Sequence, residues 1–350
     1  MQLRIAFLGF GNVNRALAEL LLIKQETLKD RYHIHFDVTG IATGRHGHAI
    51  NPDGMDLRAV LETVRKGGSL TAFSTVPGLS DTLALVQQVP ADLIFEASPT
   101  NPQDGEPALI YVRTALERGM HVVTANKGPV AFACHALEEL AAQQGVGFLY
   151  EATVQGGSPV ICLAREGLAG AEIRRVEGIF NNTTNFILDK MERDSASFEE
   201  ALREAQAIGV AETDPSLDVD GWDAAIKTAI LANVLMGANL RPADVEREGI
   251  RGVTAADIQA AAAAGERIKL LCEAERLPDG RVLARVGPRR VPADSQIGGI
   301  RGTGGVVAYE VDTMGRQTLF DAGQGPEGTA YGMLVDMINI LRGRARQRAD

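Results

Sequence analysis

A short apolar segment, a glycine-rich turn and an amphipathic segment open the chain in that order. Residues 3–8 read as a buried strand, and apolar residues recur at helical spacing over residues 14–28. Between the two, Gly9 can make a tight turn, and Gly11 lets the backbone approach a pyrophosphate at the positive end of the helix. This order predicts a dinucleotide-binding site, whereas a glycine turn without its strand and helix would be weak evidence for one. The predicted cofactor contacts in the turn are Gly9, Phe10, Gly11, Asn12 and Val13.

Strands and helices alternate along the first part of the chain. Residues 33–43 read as a second strand, and residues 44–80 as a polar excursion that leaves the sheet and carries a short helix near 56–66. The alternation then resumes with strands at 92–96, 121–124 and 147–150 and helices at 106–118 and 130–144. Strands alternating with helices of this length predict an α/β protein with a Rossmann-type, doubly wound parallel sheet.

The pattern changes after Glu151. The sequence predicts helices at 158–167, 186–193, 198–208, 221–238 and 329–341, a strand at 173–180 and antiparallel strands within 281–320. We therefore expect a dinucleotide-binding domain over 1–150 and a second, α+β domain over 151–320 for substrate binding, catalysis and dimerisation. A C-terminal helical segment, 321–350, is expected to pack back on the first domain.

Composition excludes several classes of protein. The net charge is -10 and no block of Lys or Arg occurs, so a nucleic-acid-binding face is not expected. Three widely spaced cysteines give no zinc-binding pattern and favour buried free thiols in a reducing compartment. The apolar start is broken at once by Gly9, unlike a signal peptide, and no apolar run approaches the roughly 20 residues of a membrane helix. These features predict a cytoplasmic protein.

The end of the second predicted strand bears on the type of nucleotide. Enzymes that use NAD usually place a carboxylate there to bind the ribose 2′-hydroxyl, but residues 41–46 contain none. Arg45 can instead meet the 2′-phosphate of NADP. We expect NADP to be preferred, with NAD possible; the alternative is that Arg45 is simply a solvated surface residue.

Five further strings, taken together, resemble homoserine dehydrogenase. They are residues 123–128, 151–157, 181–185 and 209–212, and Asp214-Pro215 followed by Asp218, Gly221, Asp223 and Lys227. They occur in the family's order, and the similarity covers residues 3–341. The resemblance implies NAD(P)H-dependent reduction of L-aspartate 4-semialdehyde to L-homoserine, in the biosynthesis of threonine, methionine and isoleucine. It is closest to the short form of the family, which lacks a C-terminal regulatory domain.

The resemblance also implies catalytic roles. Reducing an aldehyde requires a proton donor for the developing alkoxide, and Lys227 is the candidate. Asp223 lies four residues earlier on a predicted helix and shares its face, although taken alone this pair would be an ordinary surface salt bridge. Lys127 matches a family lysine between nicotinamide and substrate; its alternative is a lysine at a helix start.

Carboxylates are expected to hold the ammonium group of the amino-acid substrate. Glu212 and Asp218 match family positions with this role, and Thr183 matches a position near substrate. Asp214 is better interpreted as a turn or helix-cap residue. The family usually has Gly at Asn182 and Tyr at Val210, so both positions are departures. A further departure is Asn14, which replaces the third small residue of the glycine turn and is expected to push the helix slightly off the strand.

Other assignments complete the expected site. Ser98, Thr100, Lys127, Gly323 and Gly325 are further candidate cofactor contacts. By resemblance, an oxygen of Glu151 and the carbonyls of Val154, Gly156 and Ser158 form a cage for a monovalent cation, Na or K; the alternative is a plain glycine loop. The family resemblance also implies a homodimer with twofold symmetry.

Alternative functions remain. A phosphorylating aldehyde dehydrogenase has a similar architecture, but needs a nucleophilic cysteine before Thr-Thr-Asn, where this chain has Asn182. A related NAD(P)-dependent dehydrogenase of another amino or hydroxy acid is a second alternative. A non-catalytic nucleotide-binding regulator would not need Lys127, Asp223 and Lys227.

Overall fold

The computed structural model describes residues 2–323 and 325–343. These residues form two compact units, one of residues 2–159 with 325–343 and the other of residues 160–323. The described part of the predicted C-terminal segment belongs to the first unit, apart from 321–323. Residues 324 and 344–350 of that segment lie outside the described residues.

The first unit consists of strands and helices that alternate over most of its length. Its strands are β1 (Gln2–Leu8), β2 (His35–Ala42), β3 (His48–Met55), β4 (Leu93–Glu96), β5 (His121–Thr124) and β6 (Phe148–Leu149). Its helices, numbered in chain order, are α1 (Asn12–Ile23), α2 (Gln25–Tyr32), α3 (Leu57–Arg65), α4 (Thr82–Gln88), α5 (Ala108–Glu117), α6 (Lys127–Gln144), α7 (Ala152–Gln155) and α14 (Pro326–Leu341).

The sheet of the first unit has the order β3-β2-β1-β4-β5-β6. Five of these strands, β2, β1, β4, β5 and β6, run parallel to one another. Strand β1 is paired to β2 on one side and to β4 on the other. The sequence order reverses direction at β1, which is where open α/β sheets place their ligands, beyond the carboxyl ends of the strands. The predicted Rossmann-type sheet is thus confirmed.

One detail of that prediction is wrong. Residues 44–80 were expected to leave the sheet, but β3 lies within this segment and pairs antiparallel with β2. Pro52 and Gly54 interrupt any strand-like alternation in β3. An edge strand tolerates proline because one of its sides needs no hydrogen-bond donors. The sequence pattern therefore gave no sign of a strand that exists only at the sheet edge.

The core of the first unit joins its sheet to α1 and α14. Ile5 and Phe7 of β1, Leu17 of α1 and Met333 and Met337 of α14 are all completely buried in one apolar cluster. The apolar-periodic helix predicted at 329–341 therefore belongs to this core. Its packing sets α1, and with it the glycine turn that precedes α1, firmly on the sheet.

The second unit has a mixed sheet with helices. Its strands are β7 (Ile173–Ile179), β8 (Glu246–Arg247), β9 (Glu266–Arg276), β10 (Val282–Pro292), β11 (Gly305–Val311) and β12 (Gly315–Asp321), in the order β12-β11-β7-β9-β10-β8. Its helices are α8 (Val160–Cys162), α9 (Asn182–Asp194), α10 (Phe198–Ala207), α11 (Ser216–Val219), α12 (Trp222–Met236) and α13 (Ala255–Ala263). Helix α12 is almost entirely buried and packs on β9 and β10.

Several boundaries differ from the sequence predictions. The helix predicted over 14–28 is two helices, because the backbone leaves the helical conformation at Lys24. Helix α6 begins at Lys127 rather than at 130, since Asn126 caps it by accepting from Gly128 N at 2.9 Å. Strand β9 and helix α13 were not predicted. No helix among the described residues is long and apolar enough to cross a membrane.

Candidate active site

The turn after β1 depends on Gly9. Its φ is +75°, and its N–H donates to Ala42 O at 3.0 Å, which joins the turn to the end of β2. A Cβ atom at this position would lie 2.6 Å from Ser98 N and 2.7 Å from Ala97 O. Both the positive φ and the close backbone therefore require glycine here.

Gly11 differs from Gly9 because its surroundings are open. It is the N-cap residue of α1 with φ of -83°, a value that any residue adopts, and no side chain caps the helix there. A Cβ atom on Gly11 would have no neighbour within 4 Å. The free N–H groups and the positive dipole end of α1 thus adjoin open space in which a pyrophosphate can bind.

The other predicted contacts of the turn have different surroundings. Phe10 is buried, with its ring edge-on to Phe7 at a centroid distance of 5.4 Å, so only its backbone can contact a cofactor. Asn12 is exposed, and its Oδ1 accepts from Arg15 Nη2 at 2.6 Å. Val13 packs partly against the core of the first unit.

Asn14 braces the turn. Its side chain is fully buried, and Nδ2 donates to the carbonyl oxygens of Leu8 at 3.0 Å, Gly9 at 2.9 Å and Phe95 at 3.3 Å. Its amide hydrogen-bonds the helix to the ends of β1 and β4, while Oδ1 is buried without a hydrogen-bond partner among the described residues. The expected shift of α1 away from the strand stays a prediction. An asparagine can therefore replace the usual small residue by supplying hydrogen bonds across the gap that it fills.

A buried carboxylate that the sequence analysis missed organises the end of β4. Glu96 is completely buried, and its carboxylate accepts from Ser98 N at 2.8 Å, Thr124 Oγ1 at 2.7 Å and Ser98 Oγ. Burial raises the pKa of Glu96, and these hydrogen bonds oppose the rise. A glutamate at the end of an otherwise apolar strand was the available signal. The hydrogen bonds to Glu96 fix Ser98, a predicted cofactor contact, at the carboxyl edge of the sheet.

Lys127 stands next to this network. Asn126 donates to Ser98 O at 3.1 Å and caps α6, and Lys127 is the half-buried first residue of that helix. Thr100 is half-buried in the loop after β4. Lys127, Ser98 and Thr100 therefore all belong to segments that follow parallel strands, at the edge of the sheet where ligands bind in open α/β folds.

Arg45 lies in the loop after β2. In this loop Thr43 Oγ1 accepts from His46 N at 2.6 Å and donates to Gly47 O at 3.2 Å, which makes the turn compact. Arg45 itself is exposed and forms no hydrogen bond or ion pair with the described residues. Its guanidinium is therefore available to an external anion.

The two C-terminal glycines fall in different units. Gly323 belongs to the second unit, has φ of +84° and donates its N–H to Asp321 Oδ1 at 2.7 Å. Gly325 belongs to the first unit and precedes α14, with no side-chain cap on that helix.

The segment 151–158, predicted to hold a cation, lies in the first unit. Glu151, Val154 and Ser158 are each no more than 5% exposed, Gly156 has φ of +56°, and Glu151 N donates to Asp336 Oδ2 at 2.8 Å. No group of three or more His, Cys, Asp or Glu side chains suited to a metal occurs in residues 2–323 and 325–343. One carboxylate with backbone carbonyls is a donor set for a hard cation rather than for a transition metal.

Lys227 and Asp223 form the predicted pair on α12. Lys227 Nζ lies 2.9 Å from Asp223 Oδ2, and both side chains are largely buried, with 15% and 14% of their surface exposed. The same ammonium donates to Phe180 O at 2.8 Å, just beyond the end of β7. A surface salt bridge would leave both groups in water. Here the Lys227 ammonium is instead held in a fixed position by its buried partners.

Asn181 brings a second carboxylate to this pair. Its Nδ2 donates to Asp218 Oδ1 at 2.6 Å and to Asp223 Oδ2 at 3.0 Å. We call Lys227, Asp223, Asp218 and Asn181 the lysine cluster. Burial, and then the negative charge of Asp223, raise the pKa of Asp218, while the Asn181 hydrogen bond and the Lys227 charge oppose that rise. Asn181 belongs to one of the strings that resemble the family, but its sequence position alone indicates no role for it.

Thr183 is buried beside the lysine cluster, whereas Glu212 is exposed. Thr183 is in the first turn of α9, is 7% exposed and donates to Val210 O at 3.0 Å. Glu212 is exposed in the loop before α11, and its side chain has no hydrogen bond or ion pair with the described residues. Asp214 accepts from Ser216 N at 3.1 Å, which agrees with its interpretation as a turn residue. Hydrogen bonds thus join Asp218 to the lysine cluster, whereas the substrate contact of Glu212 stays a prediction.

Two of the three cysteines, Cys134 and Cys272, are buried and poorly suited to act as nucleophiles. Cys272 is completely buried, and burial raises the pKa of its thiol to about 12. Cys134 is also buried, and Asn182 stands at the first position of α9, where a phosphorylating aldehyde dehydrogenase would have its cysteine. The lysine cluster therefore offers proton transfer and binding of a cationic group, and no thiol stands at the position where a phosphorylating aldehyde dehydrogenase would form its thioester.

Comparison with known proteins identifies the family. The model for homoserine dehydrogenase matches residues 159–338, and the model for the NAD-binding domain of homoserine dehydrogenase matches residues 9–151. The chain belongs to the homoserine dehydrogenase family. An NAD(+)-dependent homoserine dehydrogenase from Pseudomonas canavaninivorans is 38% identical over 347 residues, which make up 99% of this chain and 98% of that protein.

Solved structures agree with this homoserine dehydrogenase assignment. A putative homoserine dehydrogenase from Archaeoglobus fulgidus has a TM-score of 0.87 at 37% identity, with 97% of this chain and 99% of that chain covered. A hyperthermophilic archaeal homoserine dehydrogenase mutant in complex with NADPH has a TM-score of 0.84 at 30% identity, with 99% and 100% covered. The resemblance stated from the sequence is confirmed. This chain is an NAD(P)-dependent oxidoreductase of the homoserine dehydrogenase family, which acts on a CH–OH group; the phosphorylating and non-catalytic alternatives are not supported.

Proposed function

We propose that this chain reduces L-aspartate 4-semialdehyde to L-homoserine, with Lys227 as the proton donor. The observation that carries the assignment of Lys227 is the burial of its ammonium between Asp223 and the Phe180 carbonyl, at 2.9 and 2.8 Å. Bound NADPH or NADH supplies the hydride that attacks the aldehyde carbon. Lys227 then gives its proton to the carbonyl oxygen, so the product is the neutral alcohol, and the lysine regains a proton from water. Lys127 stabilises the developing alkoxide with its positive charge.

The substrate ammonium is assigned to Asp218. The Asp218 carboxylate is held by Asn181 at 2.6 Å and lies with a second carboxylate, Asp223, so the negative charge exceeds what Lys227 balances. Such an excess suits a substrate that brings its own positive charge. Thr183 and Glu212 are assigned to substrate contacts by family position; for Glu212 this requires its exposed loop to contribute in the bound state.

An absorbance assay tests the proposed reaction. The protein mixed with L-homoserine and NADP should produce the reduced-nicotinamide absorbance band. The same assay with 4-hydroxybutyrate, which lacks the ammonium, should give at least tenfold less activity because a paired charge is lost. Equal activity on the two compounds would show that the ammonium group is not recognised, which would overturn the assignment of Asp218.

We further propose that NADP is preferred to NAD. The exposed, unpaired Arg45 and the absence of a carboxylate in residues 41–46 support this preference, and a similar enzyme is known in complex with NADPH. The relative from Pseudomonas canavaninivorans, which is NAD(+)-dependent, supports the opposite choice. The proposed preference therefore depends on whether the Arg45 guanidinium contacts the 2′-phosphate of NADP.

Arg45→Ala should weaken NADPH binding by about ten- to a hundredfold and leave NADH binding nearly unchanged. A charge-assisted contact contributes about 1.5–3 kcal/mol, and only NADPH carries the phosphate that Arg45 would contact. Fluorescence titration of both cofactors measures the effect. Arg113→Ala removes the same charge from an exposed position of α5 and serves as the control. Equal losses for NADPH and NADH would refute the NADP preference.

A monovalent cation is proposed for the segment 151–158. Its support is the buried Glu151 carboxylate beside a tight turn at Gly156, together with the family resemblance. Glu151 and the carbonyls of Val154, Gly156 and Ser158 would hold the ion. Its positive charge would offset the cost of burying Glu151. Dependence of the thermal midpoint on Na⁺ or K⁺ at constant ionic strength tests the proposal.

We also propose a cytoplasmic homodimer. The three cysteines form no disulfide, which suits a reducing compartment. Strand β11 pairs with β12 and β7, and β10 pairs with β9 and β8, so neither strand is an edge of the sheet. The edge strand β12 carries Phe320, which is 53% exposed. Covering this edge in a second copy would protect its unpaired backbone. Sedimentation that shows only monomer at micromolar concentration would count against the dimer.

A further inference from the structure

We infer that Asn181 is a positioning residue that keeps both carboxylates of the lysine cluster oriented and available for a cationic substrate. Its amide group donates one hydrogen bond to Asp218 Oδ1 at 2.6 Å and one to Asp223 Oδ2 at 3.0 Å. Asn181 is 4% exposed, so water cannot replace these bonds freely. The inference rests on the proposed function, because it concerns how the same site holds its substrate.

The start of α9 fixes the direction of the Asn181 amide. Its Oδ1 accepts from Thr184 N at 2.8 Å as the N-cap of that helix, which leaves Nδ2 to face the two carboxylates. The reversed orientation would place a carbonyl oxygen against both carboxylates and an N–H against the Thr184 N–H. One side chain thus joins the end of β7 to residues of α11 and α12 in a single geometry.

The neutral amide has a particular electrostatic effect. Two neighbouring carboxylates repel, and the Asp223 charge contributes to raising the pKa of Asp218. A second lysine or arginine would relieve the repulsion but also cancel the negative charge. Asn181 stabilises both anions by hydrogen bonding while adding no charge, so the excess negative charge remains for the substrate ammonium.

The backbone at the same point holds the proton donor. Lys227 Nζ donates to the carbonyl of Phe180, the residue immediately before Asn181, at 2.8 Å. The end of β7 therefore positions the ammonium through Phe180 and the two carboxylates through Asn181. A change in the Asn181 side chain alone should disturb the carboxylates and leave the Phe180 contact in place.

Asn181→Ser keeps the helix cap but removes the pair of hydrogen bonds to Asp218 and Asp223, so it tests the two roles of Asn181 separately. Serine is a good N-cap, so the thermal midpoint should stay close to that of the wild type, but its hydroxyl cannot donate to both carboxylates. Because the lost hydrogen bond had lowered the pKa of Asp218, the acidic limb of kcat/KM for homoserine should move up by about one pH unit or more. The KM for homoserine should rise about tenfold, and the KM for NADP should not change.

Two further variants complete the test. Asn181→Asp keeps a cap oxygen but replaces both donors by a third carboxylate, so the acidic limb should move further up than in Asn181→Ser. Ser197→Ala removes the side-chain cap of α10, away from the lysine cluster, and should lower the thermal midpoint without moving the pH profile.

The outcomes distinguish this inference from the proposed function. Wild-type protein inactive on homoserine would refute the proposed function itself. Active wild type with unchanged pH limb and homoserine KM in both Asn181 variants would overturn the inference alone. Loss of the fold in both variants would also overturn it, because Asn181 would then act in folding rather than in positioning.

Discussion

Lys227→Ala should lower kcat about a hundredfold to ten-thousandfold, the usual contribution of a positioned proton donor. The alkoxide that forms on hydride transfer would then have to take its proton from water. The ammonium lies in the second unit, whereas the glycine turn assigned to the cofactor lies in the first. NADPH affinity should therefore change little. Steady-state kinetics and fluorescence titration of NADPH measure the two effects separately.

A matched control exists in the same unit. Lys190 also pairs with a carboxylate four residues away, Asp194, at 2.6 Å, and contacts Glu204 as well. Lys190→Ala removes a similar ion pair and should leave turnover nearly normal. If Lys227→Ala retained turnover within tenfold of the wild type, Lys227 would not be the proton donor.

Periodicity predicted most of the first unit because its strands are buried and short. β4 and β5 consist of apolar residues bounded by turns, and their order with the helices admits few topologies. β3 escaped prediction for the opposite reason. With Pro52 and Gly54 it has little intrinsic preference for a strand, and it forms one because β2 offers an unpaired edge. Pairing with β2, rather than the local sequence, therefore makes β3 a strand.

The candidate site likewise contains residues whose contacts local sequence predicts and residues whose contacts depend on tertiary packing. Asp223 and Lys227 were paired from the sequence because helical spacing alone places them on one face. Asn181 and Asp218 are separated by 37 positions and meet only when the end of β7 and the start of α9 are packed against α11. Glu96 was missed because burial of a carboxylate is visible only when its hydrogen-bond donors, Ser98 and Thr124, are in place. The family resemblance supplied Asp218 where local physics could not.

Gly11→Val should reduce NADPH affinity about ten- to a hundredfold while the protein remains folded. The backbone at Gly11 has φ of -83°, and a Cβ atom there meets nothing within 4 Å in the described structure, so the fold accommodates a side chain. The space that it would enter is where a pyrophosphate must approach the N–H groups of α1. Forcing a branched side chain into such a contact costs about 1–3 kcal/mol.

The same substitution at Gly9 gives the contrast that makes the test sharp. Gly9→Val must adopt φ of +75° with its Cβ 2.6 Å from Ser98 N, so the damage falls on the protein itself. Its thermal midpoint should drop by far more than that of Gly11→Val. In Gly11→Val only the N-cap residue of α1 is replaced by a less favourable one, which costs about 1 kcal/mol of stability. Circular dichroism melts and NADPH fluorescence titration together distinguish the cases. A Gly11→Val protein that binds NADPH normally would show that the pyrophosphate does not bind at this turn, because the valine side chain would occupy the space that the pyrophosphate needs.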